Sequence, residues 1–325
     1  MNLIISTVIV TGLSLFMTWL AMRAGRIKNR PMVKWPAAIL AGLLAVACAL
    51  VTGLALLGLY RFYLPAAAPA PAVPIAGSPA QIARGERLAN LCAGCHSTTG
   101  ELPLDGSAQN FSPGIGTIYA PNLTPGGPLQ HWSDGEIMRA IREGIHQSGR
   151  ALVLMPSDQF HVMGDGDVQA LVAYLRAQPA VERQTPATQL TLLGAILVGV
   201  GVFPYSPQPP IAGPVAAPPA GATAAYGQYL VTIAGCRECH GADLRGGTSQ
   251  FVPVGPNLLA ILAQWSAEEF VTTIRTGVDP YGHALDPETM PWQAYAAAFG
   301  DEELAAIYAY VRTLPLAGEV TDLTQ

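Results

Sequence analysis

Two copies of one pentapeptide carry the side chains best suited to chemistry. Residues 92–96 read CAGCH and residues 236–240 read CRECH. In each copy two thiols are separated by two residues and a histidine follows the second thiol at once, which is the attachment signature of c-type haem. Each thiol can add to a vinyl group of the porphyrin, and the histidine then ligates the iron. The sequence therefore predicts two covalently bound haem c groups, held by Cys92, Cys95, His96, Cys236, Cys239 and His240.

Structural zinc and a structural disulfide are the alternatives for such cysteines. A single CxxC motif is common to zinc and redox sites, whereas two copies that each end in histidine favour haem. The fifth cysteine, Cys48, lies in an apolar run, where a small buried hydrophobe is the simplest interpretation.

The distribution of charge excludes one class of partner. All the basic residues of the first 35 positions fall between Arg23 and Lys34, with no acid among them. The rest of the chain carries 12 arginines against 22 acidic residues. This balance argues against nucleic acid as a partner.

Two apolar runs at the start, residues 2–22 and 36–60, are each long enough to cross a bilayer. The basic loop between them, with Arg23, Arg26, Lys28, Arg30 and Lys34, is expected in the cytoplasm. This predicts a two-pass anchor in the cell (inner) membrane with the haem domains on the outer, periplasmic side, where c-type haem is attached. The small residues Ala41, Ala45, Ala49 and Gly53 predict a smooth helix face.

An internal repeat follows the anchor. WSDGEI at 132–137 matches WSAEEF at 265–270, and IREG at 141–144 matches IRTG at 274–277. AYLR at 173–176 likewise matches AYVR at 309–312. Repeats this long imply two domains of one fold. The predicted organisation is a transmembrane hairpin (1–63), a Pro/Ala linker (64–79), two repeat domains (80–180 and 222–317) joined by an interdomain segment (181–221), and a tail (318–325).

Three helices are predicted in each repeat. The first leads into the haem motif, the second begins at Ser133 or Ser266 with a glutamate three residues later as a capping box, and the third begins near Asp165 or Asp301. Since no segment shows sustained strand alternation, the fold class is all-α. The apolar segment 190–203 is too short to cross a bilayer and is expected to be an interdomain helix packing on the haem domains, with a membrane-surface or partner contact as the alternative.

Methionine is the expected second axial ligand of both irons. Met155 and Met290 are each followed by proline and occupy matching places in the two repeats. A methionine opposite histidine blocks small ligands and raises the reduction potential. Met138 is expected in the core, and the competing ligand candidates are Met163, His146, His161 and His283.

The chain resembles a known family at these residues. IYAPNLTP (118–125), the WSD and AIREG segments, MetPro and DGDVQALVAYLR (165–176) look like the cytochrome c subunits of membrane-bound bacterial dehydrogenases for alcohols, gluconate and related substrates. The resemblance implies class I cytochrome c domains that take electrons from a catalytic subunit and pass them to quinone or a terminal oxidase. Those subunits usually carry three haem domains, whereas this chain has two and an N-terminal hairpin.

The same resemblance implies a role for Pro121 and Pro256, whose carbonyls would accept the Nδ1 hydrogen of the proximal histidines. Trp132 and Trp265 are expected near the haems, where ordinary core packing is the simpler alternative. Gly85 and Gly227 are expected to allow close crossing of the first and last helices of each domain, against Tyr174 and Tyr310.

The function expected from these observations is electron transfer by a membrane-anchored dihaem subunit that is not itself an enzyme. Its partners would be the other subunits of a respiratory, photosynthetic or dehydrogenase complex and a redox donor and acceptor. A dihaem peroxidase with one open iron site and a structural or assembly haem subunit are the alternatives.

Overall fold

The computed structural model describes residues 3–26, 31–65, 67–203, 207–249 and 252–316. Asn2, Lys28 and Arg30 of the predicted anchor, and the tail 318–325, lie outside the described residues. The helices are α1 Leu3–Gly25, α2 Pro31–Tyr63, α3 Pro79–His96, α4 Asp134–Glu143, α5 Ser157–Phe160, α6 Asp165–Ala177, α7 Leu192–Val200, α8 Ala224–Ile233, α9 Cys236–His240, α10 Leu258–Leu262, α11 Ala267–Thr276, α12 Trp292–Ala298 and α13 Asp301–Thr313. Two short strands, β1 Gly116–Thr117 and β2 Gln189–Leu190, pair antiparallel. The predicted helical fold class is confirmed, with this small ribbon as an addition.

Helices α1 and α2 form the predicted hairpin, and both are candidate membrane spans by length and composition, over Ile5–Gly25 and Met32–Tyr63. The prediction that small residues form one smooth contact face on α2 is only half correct. Ala41 and Ala45 are buried, and the Ser14 hydroxyl donates a hydrogen bond to the Ala45 carbonyl. Ala49 and Gly53 are exposed instead, because the contacts of α2 continue through Ala55 and Gly58. The contact face thus steps by three or four residues, as helix geometry requires, rather than strictly by four.

The two repeats share one arrangement of helices. In the first, α3 crosses α6 at Gly85, where a Cβ would collide with the Ala170 carbonyl. In the second, α8 crosses α13 at Gly227 in the same way, against the Ala306 carbonyl. These glycines also lie against Tyr174 and Tyr310, as predicted. Because each close approach excludes a side chain, glycine is required at both crossings.

The helices that precede the haem motifs differ between the repeats. In the first repeat α3 runs without a break through Cys92 to His96. In the second, α8 ends at Ile233 and the motif forms its own helix, α9, after Gly235 with φ of 68°. This left-handed conformation suits glycine, and the first repeat has Leu91 at the corresponding position.

The haem domains pack directly on each other. One continuous apolar core includes Leu88 and Leu171 of the first domain together with Leu230 and Leu304 of the second. Helix α12 of the second domain also packs on α3 of the first. The domains therefore form one compact unit, which the sequence did not predict.

Helix α7 does not pack as predicted. The expected contact is with the haem domains, but the main contact is with α2, where a Cβ at Gly58 would collide with the Ala195 carbonyl. Helix α7 touches the first haem domain through Gly194, which approaches the Ile115 carbonyl closely. Its facing glycines and alanine permit this backbone contact with α2, which side-chain bulk would otherwise prevent.

The Pro/Ala linker lies along the surface of the first haem domain. The Ala68 carbonyl accepts a hydrogen bond from Arg139 Nη1 at 3.0 Å, and Pro71 lies directly against Gly135. The segment before α8 covers the same face, where Ile211 N donates to Glu143 Oε1 at 3.1 Å. Both linkers bury charged side chains of α4, so they are bound to the domain surface and do not act as free spacers.

Candidate haem sites

The two thiols of each motif lie on one turn of helix. Helix α3 begins at a capping box formed by Ser78 and Gln81 and ends at His96, so its last turns carry both cysteines. None of the four motif cysteines forms a disulfide. Burial raises the pKa of the Cys92 thiol to about 12 and that of Cys236 to about 11. Both thiols are therefore largely enclosed by the protein at the end of their helix.

Both motif histidines are buried and oriented by a backbone carbonyl. His96 is 9% exposed, and its Nδ1 lies 2.9 Å from the Pro121 oxygen. His240 is 7% exposed, and its Nδ1 lies 2.8 Å from the Pro256 oxygen. Because a carbonyl can only accept, Nδ1 must donate, which leaves the lone pair on Nε2. Burial also lowers the pKa of both rings, against the effect of these hydrogen bonds, so the imidazoles are neutral.

These features fit an axial ligand to haem iron. A ligating histidine must be neutral, must present Nε2 and must have its other nitrogen bound to an acceptor. His96 and His240 meet all three requirements. Among the described residues, no group of three or more His, Cys, Asp or Glu side chains lies close enough together to hold a metal ion.

The loops after the motifs match hydrogen bond by hydrogen bond. Gly106 N donates to the His96 carbonyl at 2.7 Å, and Gly246 N donates to the His240 carbonyl at 2.8 Å. The leucines that follow the proline–asparagine pairs bind in the same way, Leu123 N to the Leu104 carbonyl and Leu258 N to the Leu244 carbonyl. In each domain, one backbone hydrogen bond to the histidine carbonyl and one from the leucine after the proline–asparagine pair place the proline opposite the histidine.

Met155 and Met290 occupy equivalent places, half-buried against the shared core. A β-bridge precedes each methionine, Ile145 with Ala151 and Val278 with Ala284. A short turn follows, in which the Met155 carbonyl accepts from Ser157 N at 2.8 Å and the Met290 carbonyl accepts from Trp292 N at 2.7 Å. The same backbone path therefore presents one methionine per domain.

The competing ligand candidates have other environments. Met138 and Met163 are 2% and 1% exposed within the core. His161 Nδ1 lies 3.1 Å from the Arg142 carbonyl, and His146 Nδ1 accepts a hydrogen bond from Ser148 N at 3.0 Å. His283 pairs with Asp279 at 2.9 Å, and its side chain is 77% exposed.

The predicted tryptophans lie at the start of the second helix of each domain. Both are half-buried against the core. The Trp265 carbonyl accepts from the Tyr308 hydroxyl at 2.7 Å, and the Trp132 carbonyl accepts from Arg176. The Trp132 ring meets the His146 ring edge to face, with centroids 4.7 Å apart. Core packing accounts for these contacts.

The second site contains residues that sequence reasoning missed. A Cβ at Gly255 would lie 2.6 Å from His240 Nδ1, so this glycine makes room for the imidazole ring. The Tyr295 hydroxyl donates to the Ala234 carbonyl at 3.4 Å, and burial raises the pKa of Tyr295 beside Cys236 and Cys239. The Trp292 ring packs on Gly277. The position of Trp292 two residues after Met290 was the one sequence signal that could have identified it.

Comparisons with known families give the same division of the chain. Residues 82–179 match the family described as "Cytochrome c". Residues 222–311 match the family described as "Cytochrome C oxidase, cbb3-type, subunit III". Each match contains one CxxCH motif, its proline–asparagine–leucine segment and its methionine.

Two curated relatives align with most of the chain. A nicotinate dehydrogenase subunit of Pseudomonas putida is 30% identical over 269 residues, which cover 73% of this chain and 22% of that protein. The fructose dehydrogenase cytochrome subunit of Gluconobacter japonicus is 25% identical over 282 residues, which cover 78% of this chain and 56% of that protein. The chain thus spans about a fifth of the first relative and just over half of the second. Both repeats of the chain are therefore cytochrome c domains.

Proposed function

We propose that this protein is a membrane-anchored electron-transfer subunit of an oxidoreductase complex, with two covalently bound haem c groups. The observation that carries the proposal is the repeated pair of a neutral, buried histidine and a proline carbonyl, His96 with Pro121 and His240 with Pro256. When bound, each haem supplies one-electron chemistry through its iron.

The protein's own residues attach, orient and shield that group. Cys92, Cys95, Cys236 and Cys239 provide the thioether links. The proline carbonyls hold the imidazoles in the tautomer that presents Nε2, and they increase the electron density on the ligand. Met155 and Met290 would supply the second ligand to each iron and would thereby keep oxygen and peroxide from it. The chain itself then makes and breaks no substrate bonds.

The location follows from the chemistry of attachment and the charge of the loop. Haem c is attached on the outer face of the cell membrane, so both haem domains lie on the periplasmic side. The basic residues near the α1–α2 turn, including Arg23 and Lys34, then lie in the cytoplasm. The anchor raises the local concentration of the haem domains near membrane partners.

The relatives suggest the kind of partner. One is named as a cytochrome subunit of a dehydrogenase and the other as a dehydrogenase subunit. A catalytic dehydrogenase subunit is therefore the proposed electron donor, and a quinone or terminal oxidase is the proposed acceptor. The substrate of that catalytic subunit does not follow from this chain.

A redox titration of the full chain, purified from membranes, tests the proposal. The expected result is two reversible one-electron transitions and a reduced spectrum that cyanide and carbon monoxide do not change, because both axial positions are filled. Peroxide turnover with a cyanide-sensitive resting spectrum would instead support the peroxidase alternative. Copurification of a catalytic subunit from native membranes would identify the donor.

A further inference from the structure

Helix α7 and the turn after it form an apolar surface beside the candidate membrane spans. The helix reads LLGAILVGV and contains no charged or polar side chain. Leu193, Val200 and Val202 are 51%, 46% and 67% exposed. Leu56, Leu57 and Tyr60 of α2 are also exposed, so the surface of α7 continues the surface of that helix.

The level of α7 along the anchor follows from its contacts. Gly199 approaches the Leu54 carbonyl, and Gly58 approaches Ala195, so α7 runs antiparallel to α2 with its C-terminal end nearer the middle of that span. Leu3, at the start of α1, packs against the apolar cluster that contains Val198 and Phe203. Helix α7 is therefore level with the outer ends of both candidate spans, Ile5–Gly25 and Met32–Tyr63.

Several backbone groups at the two ends of α7 have hydrogen-bond partners within the protein, as a lipid environment requires. In hydrocarbon every N–H and C=O must have a partner within the protein. The Thr191 hydroxyl accepts from Gly194 N at 3.1 Å and so caps the first turn. At the other end, Arg61 Nη1 donates to the Val198 and Gly199 carbonyls at 3.3 and 2.9 Å, and Val202 N donates to the Leu197 carbonyl at 3.1 Å. These contacts satisfy carbonyls that a helix end normally leaves to water.

We propose that α7 is a re-entrant membrane element that enters the outer leaflet beside α2, contacts lipid acyl chains through Leu193, Val200 and Val202, and returns without crossing. The inference rests on the proposed anchoring of α1 and α2. Lipid is the favoured occupant because the surface continues that of a span, and α7 itself carries no polar side chain that would recognise a specific partner.

This insertion fixes the first haem domain on the membrane. Strand β2, just before α7, pairs with β1 of that domain, Leu190 with Gly116. Ala151, in the segment that leads to Met155, donates its N–H to the Phe62 carbonyl at 2.8 Å. The Arg150 guanidinium lies over the Phe62 ring, 5.4 Å from its centroid. The first haem domain is thus membrane-proximal, with its Met155 segment on the outer end of α2.

Photolabelling of the full chain in phosphatidylcholine liposomes tests this inference. The probe is an apolar aryl diazirine dissolved in the bilayer, and peptide mass spectrometry locates the labelled residues. Leu193 and Val200 are expected to be labelled about as strongly as Leu57 of α2, and roughly tenfold more than Val254, an exposed apolar residue of the second haem domain.

The outcomes separate the inference from the function on which it rests. If Leu57 is labelled and Val200 is not, α7 lies outside the bilayer and the inference is overturned. If Leu57 is also unlabelled, the anchoring itself is wrong, whereas the haem spectrum of the same sample reports independently on the cytochrome function. Labelling of α7 in liposomes that disappears in native membranes would show that a partner protein, not lipid, covers this surface.

Discussion

Arg84 Nη1 lies 2.5 Å from Glu303 Oε1, which joins α3 of the first haem domain to α13 of the second. Arg84 also binds Asp167 of its own domain at 2.9 Å, and the Tyr229 hydroxyl donates to Asp167 at 2.7 Å. The pKa of Arg84 is raised: burial alone would lower it, but the hydrogen bond and charge of Asp167 and the charge of Glu303 outweigh that effect. This polar cluster lies between the two haem domains and fixes their relative position.

Replacement of Arg84 by alanine should therefore destabilise the pair of domains. The substitution leaves the partly buried Asp167 without its cation and Glu303 with only the more distant Arg87, at a cost of about 3 kcal/mol in the free energy of unfolding. Denaturant unfolding measures this effect. Arg87, which is 48% exposed and binds Glu303 at 3.5 Å, is the matched control, and Arg87→Ala should cost less than about 1 kcal/mol. Equal effects of the two substitutions would contradict the role given to Arg84.

The axial assignment predicts separate effects for three methionines. Met155→Ala and Met290→Ala should each lower the potential of one haem and allow cyanide to bind, because thioether ligation raises the potential and fills the site. Met138→Ala should leave both spectra unchanged, since this side chain is buried in the core. Its expected effect is a loss of about 2–5 kcal/mol of stability. Spectroelectrochemistry of the three variants measures the haem spectra and potentials. A change in the spectrum or potential of the first haem in Met138→Ala would refute the assignment.

The close contact of Gly255 with His240 predicts an effect on one haem alone. Gly255→Ala adds a Cβ that would lie 2.6 Å from Nδ1, so the ring must move and its bond to the Pro256 carbonyl must lengthen. The expected result is a shifted potential for the second haem and an unchanged first haem. The equivalent residue of the first domain is Ala120, and the reverse substitution Ala120→Gly should leave both potentials in place. A redox titration that shows no shift in Gly255→Ala would exclude this contact.

The titration of His146 is expected to make the free energy of unfolding depend on pH. Burial, together with the positive charges of Arg150 and Arg139, lowers the pKa of His146 from 6.5 to about 4. Between these values the unfolded chain binds the proton more readily, so the contribution of this group is complete above pH 6.5 and is lost as the pH falls towards 4. His146→Asn keeps an acceptor for Ser148 N but does not titrate. Between pH 6.5 and 4 the free energy of unfolding should fall less for this variant than for the wild type. Equal falls in the two proteins would contradict the prediction.

Local patterns predicted the parts of the structure that depend on few residues. The capping boxes at Ser133 and Ser266 form as expected, because each requires only a residue and its neighbour three positions later. Gly85 and Gly227 could be predicted because each lies in the helix before a CxxCH motif, and the last helix of each repeat carries a tyrosine, Tyr174 or Tyr310. Each of these signals is complete within one helix or one repeat.

The features that the sequence did not predict depend on how separate segments meet. Arg84 and Glu303 are 219 residues apart, and neither copy of the repeat indicates that the other copy packs on it. The contact of α7 with α2 depends in the same way on the position of the first domain relative to the anchor. The apolar composition of α7 is compatible with packing on a haem domain and with packing on a membrane helix. Composition alone therefore could not show which of the two α7 contacts.

The mass of the purified, denatured full chain tests the central claim most directly. If both motifs carry covalent haem, the intact mass should exceed the polypeptide mass by two haem groups, and proteolysis should yield one haem-bearing peptide from residues 92–96 and one from residues 236–240. Cys92→Ser/Cys95→Ser should remove one haem and leave the second. A chain without covalently bound porphyrin, or one in which both motifs bind zinc, would contradict the account.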